Sequence, residues 1–189
     1  GYVPAIVAGF LLTAVPNWTG RLPVVGMPLV VLFSIWVAGR AAVATSMLIT
    51  PVIAAAIYLL FLIALGVVIA REIVAGKNWR NLKVLAAVAV LFLGNAVFHW
   101  EVVTGLASGY GMRIGLAATL MLIMLVGGRI IPSFTRNWLA KRAPGRWPIA
   151  FDKADMAVMA ASAMALVAWV QLPETQVTAW LAIVAGALN

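Results

Sequence analysis

The stretch AAVATSMLITPVIAAAIYLLFLIALGVVIA, residues 41–70, contains no charged residue. In an ordinary soluble domain about a quarter of the residues are charged, so thirty in a row without one point to surroundings other than water. A helix rises about 1.5 Å per residue and the hydrocarbon layer of a bilayer is roughly 30 Å thick, so about twenty apolar residues cross it. The run is too long for one simple span. Pro51 suits the first turn of a helix, which places the span near residues 49–70. The apolar residues are contiguous rather than alternating, which argues against strands.

Working outward, uncharged runs near residues 2–16, 27–39, 84–100, 112–127, 156–170 and 177–188 join this one. The fold expected is an all-α, polytopic transmembrane helix bundle with about seven spans, forming a single domain over residues 1–189. Of the 189 residues, 65% are hydrophobic and 10% charged, with a mean hydropathy of +1.10. That composition excludes a soluble globule, a disordered chain and a secreted disulfide scaffold. Cysteine is absent, so thiolate metal sites, iron–sulfur clusters and cysteine catalysis are excluded as well. The chain starts at Gly1 without a basic leader and stops at Asn189 inside an apolar run. It reads as an internal piece of a longer protein, whose remaining helices would be its nearest partners.

Seven spans distribute the 13 basic residues unevenly. One side receives Arg21, then Arg71, Lys77, Arg80 and Lys83, then Arg129, Arg136, Lys141, Arg142, Arg146 and Lys153. The other side receives Arg40 and Arg113. Cytoplasmic loops are the lysine- and arginine-rich ones, so the first side is expected to be cytoplasmic and Gly1 to begin on the periplasmic side. The net charge of +8 is thereby a matter of orientation in a lipid bilayer, and no nucleic-acid partner is expected. Trp18, Trp79, Trp138 and Trp147 fall in the basic connections, as an interfacial aromatic belt requires. The basic loop over residues 130–155 suggests an amphipathic surface helix around residues 133–142 that contacts phosphate headgroups. Pro16-Asn17-Trp18-Thr19 and Pro132-Ser133-Phe134-Thr135 echo each other at the ends of the first and fifth spans. The echo fits either an old duplication or shared helix-stop chemistry.

Ionisable groups inside spans are costly and therefore candidates for function. His99, the single histidine, lies 16 residues beyond Lys83, or about 24 Å along a helix, near the edge of the hydrocarbon region opposite the basic loops. Asn95 is one turn deeper on the same face. A neutral imidazole ligates a metal through one nitrogen while the other bonds an acceptor, a part Asn95 can play. The alternative is an interfacial histidine solvated by headgroups. Arg113 follows the glycine-containing connection at residues 104–111 and reaches nearly the same depth, with Glu101 close to both. Arg113 reads as the partner of Glu101, as the partner of an anionic ligand such as a haem propionate, or as an arginine snorkelling to the interface. Met47 and Met112 carry soft sulfur suited to Cu(I), although methionine at helix ends is commonly packing. No phosphate loop, no carboxylate pair within a span and no Ser–His–Asp set is present, so no catalytic residue is assigned.

Four segments then carry a resemblance. GFLLTAVPNWTGR at residues 9–21, NWRNL at 78–82, NAVFH at 95–99 and GGRIIPSFTRNWL at 127–139 resemble, in order, the motifs of the NnrS family. The resemblance covers most of the chain. It implies a bacterial inner-membrane protein of about a dozen helices that binds haem and copper and acts in the response to nitric oxide. In that family a His-x-His-Glu-Met motif lies just ahead of the segment where this chain begins, and further histidines follow its end. His99 matches a family histidine, which implies a metal-ligand role, with Asn95, Arg113 and Glu101 as its cofactor-binding surroundings; Arg129 and Arg136 match motif arginines. One histidine cannot complete such a site, so the other ligands are expected outside residues 1–189. Two further functions fit the composition: a secondary transporter, which requires broken helices and mid-membrane polar groups, and a non-catalytic subunit packed beside a respiratory complex.

Overall fold

The computed structural model describes residues 2–142, 145, 149 and 152–188, the side chains of Arg80 and Arg129 excepted. Gly1, Arg146 and Trp147, to which the sequence assigned positions relative to the membrane, lie outside the described residues, as does the Arg129 side chain. The described secondary structure is all helical: α1 Tyr2–Thr19, α2 Met27–Ala44, α3 Pro51–Ala75, α4 Leu82–Thr104, α5 Tyr110–Leu139, α6 Lys153–Gln171 and α7 Gln176–Leu188. A 3₁₀ turn, Trp79–Asn81, leads into α4. Six of these helices are long and apolar enough to cross a membrane. The thirteen residues of α7 extend only about 20 Å, short of the hydrocarbon thickness.

Two compact units divide the chain, Gly1–Gly115 and Leu116–Asn189. In the first, α3 is the central rod and packs against α1, α2 and α4. The longest uncharged stretch thus becomes the most enclosed helix: Leu62, Leu65, Ile69 and Ile73 are almost wholly buried. Apolar side chains on the outer faces, among them Val30, Phe33, Leu60, Ile63 and Val67, stay exposed. A water-soluble bundle would cover such residues, whereas lipid solvates them. In the second unit α6 packs on α7, and Asp152 opens α6. The Asp152 carboxylate accepts from the Ala154 and Asp155 N–H groups, and Asp155 accepts from the Asp152 N–H at 2.9 Å. This reciprocal cap satisfies donors that a helix start leaves open.

Most helices outrun the limits that charge suggested. α2 passes through Arg40 to Ala44, and α4 reaches Thr104 beyond Glu101. A charge marks where hydrocarbon ends, but the backbone ladder continues into the headgroup layer until a cap stops it. The caps are visible. Gly20 has φ 68° and the Arg21 N–H reaches back to the Pro16 carbonyl at 3.2 Å; Gly105 has φ 72° and the Leu106 N–H reaches the Glu101 carbonyl at 3.0 Å. Both are left-handed closures for which glycine carries no side-chain penalty.

The two proline motifs do not stop helices. Pro16 sits inside α1, which ends at Thr19, and Pro132 sits inside α5, which ends at Leu139. Proline forfeits one helical hydrogen bond, but its fixed φ is itself helical, and continuing the ladder offsets that loss here. The separate surface helix expected at residues 133–142 is therefore absent, because residues 133–139 are the last two turns of α5. Neither described proline site unwinds its helix, whereas a transporter of the broken-helix kind requires such a break.

Candidate functional site

Ionisable and polar groups gather at both ends of the first unit. At one end α1 docks on α3. The Arg21 Nε donates to Glu72 Oε2 at 2.6 Å, and Asn78 Nδ2 donates to the Trp18 carbonyl. A Cβ on Gly76 would lie 2.7 Å from Thr19 Cβ, so only glycine admits the end of α1 here. The segments at 9–21 and 78–82, distant in sequence, thus close on each other. Glu72 is a buried carboxylate that the sequence reading passed over. The available signal was one acid at the end of the longest uncharged run, since such a group must find a cation. Arg21, Lys77 and the Trp79–Asn81 turn share this basic end.

At the opposite end stand Tyr2, Arg40, Tyr58 and His99. Gly39 lets α2 and α3 touch, because its absent Cβ would lie 3.1 Å from Tyr58 Cα. The Arg40 guanidinium lies over the Tyr2 ring, 5.6 Å from its centroid, and is near enough to Tyr58 to act on it electrostatically. The His99 ring meets the edge of Tyr58 at 5.2 Å between centroids. His99 is half-buried, and no described residue hydrogen-bonds its ring. Tyr58 is only 7% exposed, and its enclosed hydroxyl lies within reach of the Arg40 side chain. The indole Nε1 of Trp36, one turn deeper on α2, is buried without a partner.

Asn95, Glu101 and Arg113 share the neighbourhood of His99 but not its tasks. Asn95 Nδ2 donates to the Leu91 carbonyl of its own helix at 2.9 Å. Glu101 is two residues from His99, about 200° around the helix, so it faces α5 while His99 faces α3. Its carboxylate accepts from Ser108 Oγ, from the Tyr110 N–H at 2.7 Å and from the Gly111 N–H at 3.3 Å. An anion bonded to open N–H groups at a helix start is doubly favourable, through the hydrogen bonds and through the helix dipole. Arg113 lies over Tyr110 at 4.8 Å and acts electrostatically on Glu101. These two residues knit the turn between α4 and α5.

That turn is drawn tight by two glycines the sequence reading overlooked, Gly111 on α5 and Gly94 on α4. A Cβ on Gly111 would fall 2.2 Å from the Phe98 N atom, and one on Gly94 would fall 2.7 Å from the Gly115 N atom. Small residues at a crossing let helix backbones touch in a membrane, where apolar burial alone does not hold helices together. Met47, in the turn after α2, and Met112, in α5, are both exposed and lie apart in the chain. No group of three or more His, Cys, Asp or Glu side chains gathers among the described residues.

Fold and site define a multi-pass helical membrane protein whose first unit carries an imidazole and an arginine at one end and the Arg21–Glu72 pair at the other. The chain belongs to the NnrS protein family, whose model matches residues 1–189. No curated protein and no solved structure matches it.

Proposed function

We propose that this protein binds haem and copper in a bacterial inner membrane, with its basic turns on the cytoplasmic side, and takes part in the response to nitric oxide. Family membership supports the nitric oxide role and the membrane setting. The observation that carries the cofactor reading is His99, whose ring rests against Tyr58 and receives no hydrogen bond from a described residue. A neutral imidazole with an open nitrogen can serve as one ligand to haem iron. The described residues do not assemble a copper donor set. A complete site needs further donors, because a single histidine and no cysteine are present in these 189 residues.

When bound, haem iron supplies a centre with affinity for nitric oxide. The chain's own contribution is positional. Tyr58 holds the imidazole plane by its edge, and the α3–α4 packing fixes the depth of His99. The apolar faces around it dissolve a small uncharged gas better than water does. The test is the absorption spectrum and metal content of the purified full-length protein, then of His99→Ala. A Soret band that weakens or vanishes in the variant supports the reading, and a native protein without a Soret band refutes it.

A further inference from the structure

The turn between α3 and α4 gathers positive charge: residues 71–83 carry Arg71, Lys77, Arg80 and Lys83. Glu72 is the only acid ahead of Glu101 in the sequence, and Arg21 already holds it at 2.6 Å. Arg71, Lys77 and Lys83 are exposed and, among the described residues, meet no carboxylate. Trp79 stands exposed in the same turn. Arg71 also closes an apolar stripe. Leu60, Ile63, Val67 and Arg71 follow one another at intervals of three or four residues, so they share one face of α3, and all four are exposed. From Arg71 the stripe runs back about 6 Å to Val67, about 12 Å to Ile63 and about 16 Å to Leu60. One leaflet of hydrocarbon is roughly 15 Å deep. The stripe thus has the length of an acyl chain in one leaflet, with a guanidinium at the headgroup end.

We infer that this face of α3 seats an anionic phospholipid, its phosphate on Arg71 and its acyl chain along Val67, Ile63 and Leu60. Lys77 and Lys83 supply the field that favours a net negative headgroup. A guanidinium donates two parallel N–H bonds to phosphate oxygens. A free phosphate would use the cation alone, whereas the apolar stripe continuous with it selects an amphiphile. A second helix is the other way to cover an exposed face. The close helix crossings of this unit run through glycine, Gly39 against Tyr58 and Gly94 against Gly115. The stripe offers branched side chains instead, which keep a neighbouring backbone at a distance and which flexible acyl chains can follow. The seat is independent of the haem reading.

The experiment is intact mass spectrometry of the full-length protein in detergent, with added phosphatidylglycerol or phosphatidylethanolamine of the same chains. The variants are Arg71→Gln, Arg71→Lys and Arg142→Gln, the last removing one exposed charge from the basic end of the other unit. Arg71 is exposed, so its replacement leaves the packed core intact, and thermal unfolding checks this. The native protein should retain phosphatidylglycerol over phosphatidylethanolamine by about fivefold or more, the worth of one cation near a membrane surface. Arg71→Gln should bring that ratio close to one, Arg71→Lys should keep part of it, and Arg142→Gln should leave it unchanged. Excess glycerol phosphate should not displace the lipid. Equal retention of both lipids by the native protein overturns the seat. Equal losses in Arg71→Gln and Arg142→Gln show a general surface charge and overturn it too, as does displacement by glycerol phosphate, which shows a site for soluble phosphate. A native dimer that Ile63→Ala dissolves puts a second copy on the face and likewise overturns it.

Discussion

Replacing Gly111 by alanine tests the α4–α5 packing most directly. The added Cβ would stand 2.2 Å from Phe98 N and 2.4 Å from Phe98 Cα, against an ordinary contact of about 3.5 Å. Those neighbours are backbone, so no side chain can rotate away, and α5 must withdraw by roughly 1 Å. Overpacking of this kind costs about 1–3 kcal/mol. The withdrawal also stretches the Gly111 N–H bond to Glu101, already 3.3 Å long, and losing a bond to a buried carboxylate adds about 1–2 kcal/mol. A loss of about 2–5 kcal/mol corresponds to roughly 4–20 °C in melting temperature for a protein of this size. Thermal unfolding in detergent micelles measures it. Gly115→Ala is the internal control, since its Cβ would meet nothing within 4 Å. Its stability should stay within about 1 kcal/mol of the native value or rise slightly through helix propensity. Equal behaviour of the two variants, or a Gly111→Ala protein as stable as the native one, would refute the argument.

Three further outcomes are expected. Arg21→Ala strands the Glu72 carboxylate and should destabilise by about 1–3 kcal/mol, the half-exposed arginine keeping the figure below that of a fully buried pair; Arg21→Ala/Glu72→Gln should recover part of that loss in the same melting assay, and a double variant no better than the single one contradicts the pairing. Asp152→Ala removes the side-chain acceptor that starts α6 and should cost about 0.5–2 kcal/mol, read as a lower melting temperature; an unchanged value argues against the cap. Because the chain has no native cysteine, single cysteines at Lys77 and Met47 report orientation: a membrane-impermeant maleimide applied to intact cells should label Met47→Cys and spare Lys77→Cys, and the reverse pattern inverts the proposed topology.

Membrane insertion depends on local composition, and here the sequence was sufficient. Thirty uncharged residues cannot face water whatever their neighbours do, so the helical, bilayer-spanning class and the order of the seven helices were legible from residues 41–70 outward. That His99 stands at the end of the first unit away from Arg21, Glu72 and Lys77 was legible too, because rise per residue is a local property. The family followed from motif order alone.

Which residues meet is a different question, since it depends on rotation about each helix axis and on which helices become neighbours. Two positions along α4 separate His99 from Glu101 by about 200°. Their shared depth suggested one cluster, and packing made two, with His99 against Tyr58 on α3 and Glu101 at the start of α5. The union of the segments at 9–21 and 78–82 through Arg21–Glu72 and Trp18–Asn78 spans more than fifty residues of chain, and no local pattern announces it. Arg40 was legible only as a charge on the sparse side. That its guanidinium lies over Tyr2 and beside Tyr58 became visible only once the helices were packed.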